Sequence, residues 1–157
     1  MLNLPEQMHV ALNGHAPALT RSQRRVAEDI QLHAEIAKLF YHEDVGRAER
    51  AFQEAVRLSE ATGHPDPRLI NNLATLRHFS SRLDEARSMY ERALTDASSQ
   101  GTRESDSMAT SILYNLARVY EDQGEATVAK DAYEKLLARH PEYVDGRYPG
   151  QSSSTIH

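Results

Sequence analysis

The chain has 157 residues, 26% charged and 39% apolar, with a formal charge of -5 at pH 7, enough for one soluble domain with one core. The negative balance argues against bulk attraction to nucleic acid or an anionic lipid surface, and no apolar run approaches the roughly 18 residues of a membrane helix. The absence of cysteine excludes a disulfide framework and a thiolate zinc site, and fits a reducing compartment, cytosol or nucleus.

Residues 1–20, "MLNLPEQMHVALNGHAPALT", lack a basic region followed by an apolar block, so no secretory signal is expected. They carry Gly, Pro and Asn without sustained periodicity and read as a flexible segment. Tryptophan is absent and glycine numbers only 7, so helix is the default from there on. The first helix is predicted near 21–41. Its start, "TRSQRRVAEDI", holds three arginines. Glu28 and Asp29 beside them favour a salt-laced helix start over a nucleic-acid or localisation patch. A short turn around "HEDVG" leads to a helix near 47–62, and "ATGHPD" follows. Asp66-Pro67 supplies an N-cap and an N1 proline for a helix near 67–79. Ser81 to Asp84 resembles a capping box, with Asp in place of Glu or Gln, for a helix near 82–99. The polar junction "SSQGTRESDSMAT" should be exposed. Helices near 106–122 and 126–140 complete the series, parted by Gly124 and stopped by Pro141. The remainder, "GRYPGQSSSTIH", has no apolar stripe, and 144–157 reads as a disordered tail. "ARHPEYVD" before it ends one repeat and enters another, so the array is expected to be cut short near Asp145 and Gly146.

The six segments form three copies of one pattern. "LINNLATLRHFSSRLDEARSMYERAL" aligns with "ILYNLARVYEDQGEATVAKDAYEKLL", and a weaker copy runs from His33 to Val56. The last copy fills the tetratricopeptide pattern W-x2-L-G-x2-Y, A-x3-F, P best. Leu113, Leu116, Ala117 and Tyr120 take the first-helix slots, and Ala129, Tyr133 and Pro141 the rest. Residues three and four apart share a helix face, so the first four make one stripe. Ala117 and Ala129 are small where the paired helices must approach. The middle copy has Arg77 in the Tyr slot and Ser98 in the Pro slot. The first has His33, Ile36, Ala37 and Phe40, with an inter-helix turn one residue short. Ala48 to Ala86 spans 38 residues and Ala86 to Ala129 spans 43, against 34 in the pattern. The extra residues fall at the two junctions, as longer helices or as loop. The fold expected is all-α, a tetratricopeptide-type α-solenoid of about three helix pairs over 21–143, divided near 21–62, 67–99 and 106–140.

"LYNLARVYE", the long charged junction before it and "RHPEYVD" after it are more specific than the shared slots. With them, the stretch from Leu32 to Asp145 resembles the Cln-three-requiring family, tetratricopeptide scaffold subunits of the RNA polymerase II-associated factor complex, in its fungal form. The resemblance implies a nuclear, non-enzymatic scaffold that holds other subunits during transcription elongation and histone modification. It covers a segment of such an array, without its further repeats or its charged C-terminal region. Three other readings stand beside it: a cytosolic adaptor like the light chain of kinesin, reading peptide segments; an enzyme of unknown type, which would need a convergent polar pocket; and a truncated product without independent function.

On the expected fold, first-helix residues outside the core stripe line the inner face. These are Asn71, Thr75 and His78 in the middle copy and Tyr114, Arg118 and Glu121 in the last. They are candidates for contact with an extended or helical partner segment. Their plainer reading is solvated surface, or contact with further repeats. Asn72 and Asn115, beside the core stripe, suit a structural hydrogen bond to a neighbouring helix. A clamp for a chaperone's terminal carboxylates needs Lys where Asn71 and Tyr114 stand, which argues against it. Tyr90, Tyr120 and Tyr133 fit core slots. His33 reads as a packed helix residue and His140 as a helix end. The eight histidines show no H-E-x-x-H or tight i, i+4 pairing. The carboxylates of "YEDQGEATVAKDAYE" read as solvated faces and first-turn acids. No Gly-rich phosphate loop and no G-x-S-x-G elbow occurs. No catalytic residue, metal or cofactor is therefore expected; the partners expected are proteins.

Overall fold

A computed structural model describes residues 18–141. Residues 1–17 and 142–157, with most of the expected flexible segment and all of the expected tail, lie outside them. Six α-helices follow one another: α1 (Arg21–Phe40), α2 (Val45–Ala61), α3 (Pro67–Phe79), α4 (Leu83–Gln100), α5 (Arg103–Asp122) and α6 (Ala126–Arg139). No strand occurs among the described residues, and none of these helices is long and apolar enough to cross a membrane. Helices pack as pairs α1–α2, α3–α4 and α5–α6. The pairs join through α2–α3 and α4–α5, and α3 also touches α5.

Each pair closes on two alanines. Ala37 and Ala48, Ala74 and Ala86, and Ala117 and Ala129 are all buried. With no side chain beyond Cβ, they let the helix axes approach, and larger residues fill the layers between pairs. Phe52 and Tyr90 do so at 1% and 0% exposure, in the slot that holds half-buried Tyr133 in α6.

The turns inside the pairs differ. The Arg82 amide bonds the Arg77 carbonyl at 2.9 Å, and the Glu125 amide bonds the Tyr120 carbonyl at 2.8 Å. Both are Schellman closures around a left-handed residue. Gly124 takes φ 78° in one, Ser81 φ 59° in the other. The capping box expected at Ser81 is therefore not formed. Ser81 is spent closing α3, and the N-cap of α4 is Arg82, which makes no side-chain cap bond. In the first pair α1 ends at Phe40, two slots earlier than α3 and α5, and a turn over 41–43 absorbs the shortened connection.

The junction between the second and third pairs is mostly helix. α4 runs 18 residues and α5 20, and only Gly101 and Thr102 separate them. Thr102 caps α5 through a reciprocal bond with Ser105, which starts the helix before the expected position. Polar sequence here does not mean exposure throughout. Ser105, Ala109 and Thr110 are buried, and the Thr110 hydroxyl lies 2.8 Å from His140 Nε2. α1 starts on a similar device, Thr20 with Gln23. Its exposed arginines Arg21, Arg24 and Arg25 form no ion pair with Glu28 or Asp29, so the salt-laced start is not observed.

One difference separates the first pair from the others. Leu69 and Leu76 of α3, and Ile112 and Val119 of α5, are buried, whereas Leu32 and Leu39 in the same slots of α1 are 55% and 72% exposed. α3 and α5 each have a preceding helix packed on them; α1 has none among the described residues.

Ser81→Gly should raise stability by about 1 kcal/mol, because glycine takes the left-handed conformation without the Cβ conflict. Urea unfolding of the two proteins checks it through the shift in midpoint at unchanged slope.

Candidate functional site

The tyrosine slot at the end of each first helix is where successive pairs are tied together, and its chemistry changes from pair to pair. In α3 the slot holds Arg77, whose guanidinium pairs with Glu49 of α2 at 3.0 Å and with Glu85 of α4. Arg82 joins both carboxylates at 2.9 Å. Arg77 and Glu49 side chains are only 14% and 17% exposed, so removing either partner strands a largely desolvated charge and costs more than breaking a surface ion pair. In α5 the slot holds Tyr120, whose hydroxyl donates to Glu91 of α4 at 3.1 Å, with the Arg87 guanidinium 4.9 Å from the ring centroid. Arg87 also bonds Glu91 and Glu125. In α1 the slot holds Phe40, under Arg47 at 3.8 Å. Glu49 and Arg87 occupy one slot, directly after the packing alanine. The partner chosen there decides what the next helix presents.

The six candidate contact residues divide by what they already bind. Asn71 accepts from Asn115 Nδ2 at 3.1 Å across the α3–α5 seam, the structural bond expected of Asn115. The Thr75 hydroxyl donates to the Asn71 carbonyl at 2.9 Å and lies 2.8 Å from the Tyr90 hydroxyl. Burial pushes the Tyr90 phenol up to about 12, with the Thr75 bond and the nearby Arg118 charge opposing the rise. His78 Nε2 lies 2.6 Å from Asp122 Oδ2, closing the other end of the α3–α5 seam. Its ring stacks on Phe79.

Tyr114 and Glu121 stand on the far side of α5, around Tyr133 of α6. The two tyrosine rings meet edge to face at 6.1 Å. Tyr133 donates to Glu121 Oε2 at 2.7 Å. Burial first, then this bond, raises the Tyr133 pKa. Arg118 differs from the other five. It is exposed, forms no hydrogen bond or ion pair with the described residues, and sits close enough to Tyr90 and Tyr133 for its charge to bear on both hydroxyls. An exposed guanidinium beside two phenols is suited to a carboxylate or a carbonyl from another chain. The described residues hold no group of three or more His, Asp or Glu placed to bind a metal ion. Tyr41 and Phe79 meet edge to face at 6.4 Å at the turn end of this face, an aromatic contact that the repeat pattern does not reveal.

Residues 67–142, spanning α3 to α6, match the tetratricopeptide repeat family model. The architecture is therefore settled: an all-α tetratricopeptide helical repeat. Over 123 residues the chain is 30% identical to Tetratricopeptide repeat protein 1 of Schizosaccharomyces pombe, covering 76% of this chain. The match spans only 11% of that relative's length. Tetratricopeptide arrays present extended surfaces for other proteins, and protein–protein interaction is the role these repeats imply here.

Three predictions separate structural from contact roles. Glu49→Gln should cost about 2 kcal/mol, the worth of charged hydrogen bonds at a nearly buried site, and a double-mutant cycle with Arg77→Met should recover most of it as coupling. Thr75→Val should cost about 1 kcal/mol by stranding the Tyr90 hydroxyl. Arg118→Ala should stay within about 0.5 kcal/mol of the parent. Chemical denaturation measures all three.

Proposed function

We propose that this tetratricopeptide module is a non-catalytic scaffold element that holds protein partners of the RNA polymerase II-associated factor complex in the nucleus. The scaffold reading rests on the family match and on a first-helix face whose other candidate residues are engaged within the fold. The complex is suggested by the resemblance of "LYNLARVYE", the charged junction and "RHPEYVD" to the Cln-three-requiring family. The 30% identity to a tetratricopeptide protein of which this chain covers 11% is compatible with a segment of a long array.

The observation that carries the contact surface is Arg118. Asn71, Thr75 and His78 hold α3 against α4 and α5, and so act as the floor. Tyr114 and Glu121 frame the face at its α6 side. Arg118 is the charged group left for a partner, and it favours a segment bearing an acidic side chain over it. Binding is geometric: the helix pairs hold the contact groups at fixed spacing, and no bond is made or broken.

Affinity purification of the tagged chain from nuclear extract should recover elongation-complex subunits, and Arg118→Glu should lose them while the protein keeps its helical spectrum. Recovery of motor or cargo proteins without elongation factors would instead identify a cytosolic adaptor like the light chain of kinesin.

A further inference from the structure

The two ends of the described helix stack carry the two halves of one junction. Inside the stack, α5 docks on α4. Ile112 and Val119 are fully buried there, and Tyr120 meets Arg87 and Glu91. Moving 43 residues along the repeat turns Leu83, Ala86, Arg87, Tyr90, Glu91 and Leu94 of α4 into Ala126, Ala129, Lys130, Tyr133, Glu134 and Leu137 of α6. These six line an open groove of about 580 Å³. Moving 80 residues the other way turns Ile112 and Val119 into Leu32 and Leu39 of α1, which are 55% and 72% exposed. The α6 end is a socket of the α4 type, and the α1 end is a plug of the α5 type.

We propose that this chain associates with itself head to tail, α1 of one copy seated in the α6 groove of the next, reproducing the α4–α5 junction between molecules. The register follows from the repeat. Leu32 and Leu39 take the places of Ile112 and Val119. Phe40, in the slot of Tyr120, comes over Lys130, in the slot of Arg87, so a cation again faces an aromatic ring. Glu35 stands in the slot of Asn115, which reaches across to the preceding first helix. In the new junction it is directed at Tyr114 and Arg118, an anion toward a phenol and a cation. The contact is heterologous, using different surfaces on the two copies, and does not close on a dimer.

The test uses the full chain and two variants. Leu32→Glu with Leu39→Glu blocks the plug. Ala126→Arg, at an exposed position on the groove rim, blocks the socket. In sedimentation velocity the parent should grow steadily in mass with concentration, past two copies. Each variant alone should stay monomeric with an unchanged helical spectrum. An equimolar mixture of the two should form dimers and nothing larger, because one intact plug then meets one intact socket. A parent that stays monomeric throughout overturns the proposal, as it would if the chain's own terminal residues filled either surface. So does a parent that stops at two copies, or a mixture of folded variants that does not combine.

Discussion

Everything in this fold depends on how closely the two helices of a pair approach. That distance is set by an alanine facing an alanine, and the three pairs repeat it with Ala37 and Ala48, Ala74 and Ala86, and Ala117 and Ala129. Small side chains at a helix contact favour the lower end of the usual 8–10 Å or so between packed axes. The flanking layer must then be filled from the sides, which is why large residues such as Phe52 and Tyr90 lie between pairs. The pair is a stiff unit, and variety is confined to the places where units meet.

At those meeting places the same geometry carries different chemistry. An arginine in α3 faces a glutamate in α2, whereas a tyrosine in α5 faces an arginine and a glutamate in α4. The pair of residues changes together, and the helices keep their places. A charged cluster centred on the nearly buried Arg77 and Glu49 ties α2, α3 and α4 in one direction only, because Arg77 must find a carboxylate at the slot after the packing alanine. Such a junction resists substitution by an apolar helix, so the order of units along the stack is specified as well as their spacing.

Much of this was readable from the chain alone. The apolar stripe of Leu113, Leu116, Ala117 and Tyr120, the aspartate before α3 with the proline that opens it, and the glycine after α5 are local signals, and local signals survive in sequence. What escaped depends on distance or on neighbours. Glu49 and Arg77 are far apart in the chain, and nothing near either marks the other. Ser81 reads as a cap for the helix after it, yet the closure of the helix before it claims the residue first. The junction before α5 looks like loop because its residues are polar, but Thr102 and Ser105 cap one another and helix continues through it. Of the candidate site, the face was legible and the roles were not. Asn71 and Arg118 are both polar first-helix residues, and only packing shows that one is bonded across the seam while the other is exposed.

The tyrosines give this stack a consequence for how its unfolding can be watched. The chain contains no tryptophan, so near-ultraviolet signals come from phenols. Three phenols sit at successive contacts: Tyr90 hydrogen-bonded to α3, Tyr120 to α4 and Tyr133 to α5. Each has its ionisation raised chiefly by burial. Stability in such arrays is a sum of units and nearest-neighbour contacts. Opening any of these three contacts among the described residues releases its phenol toward its ordinary pKa, so each carries an absorbance reporter that adds to the signal of the chain's other tyrosines.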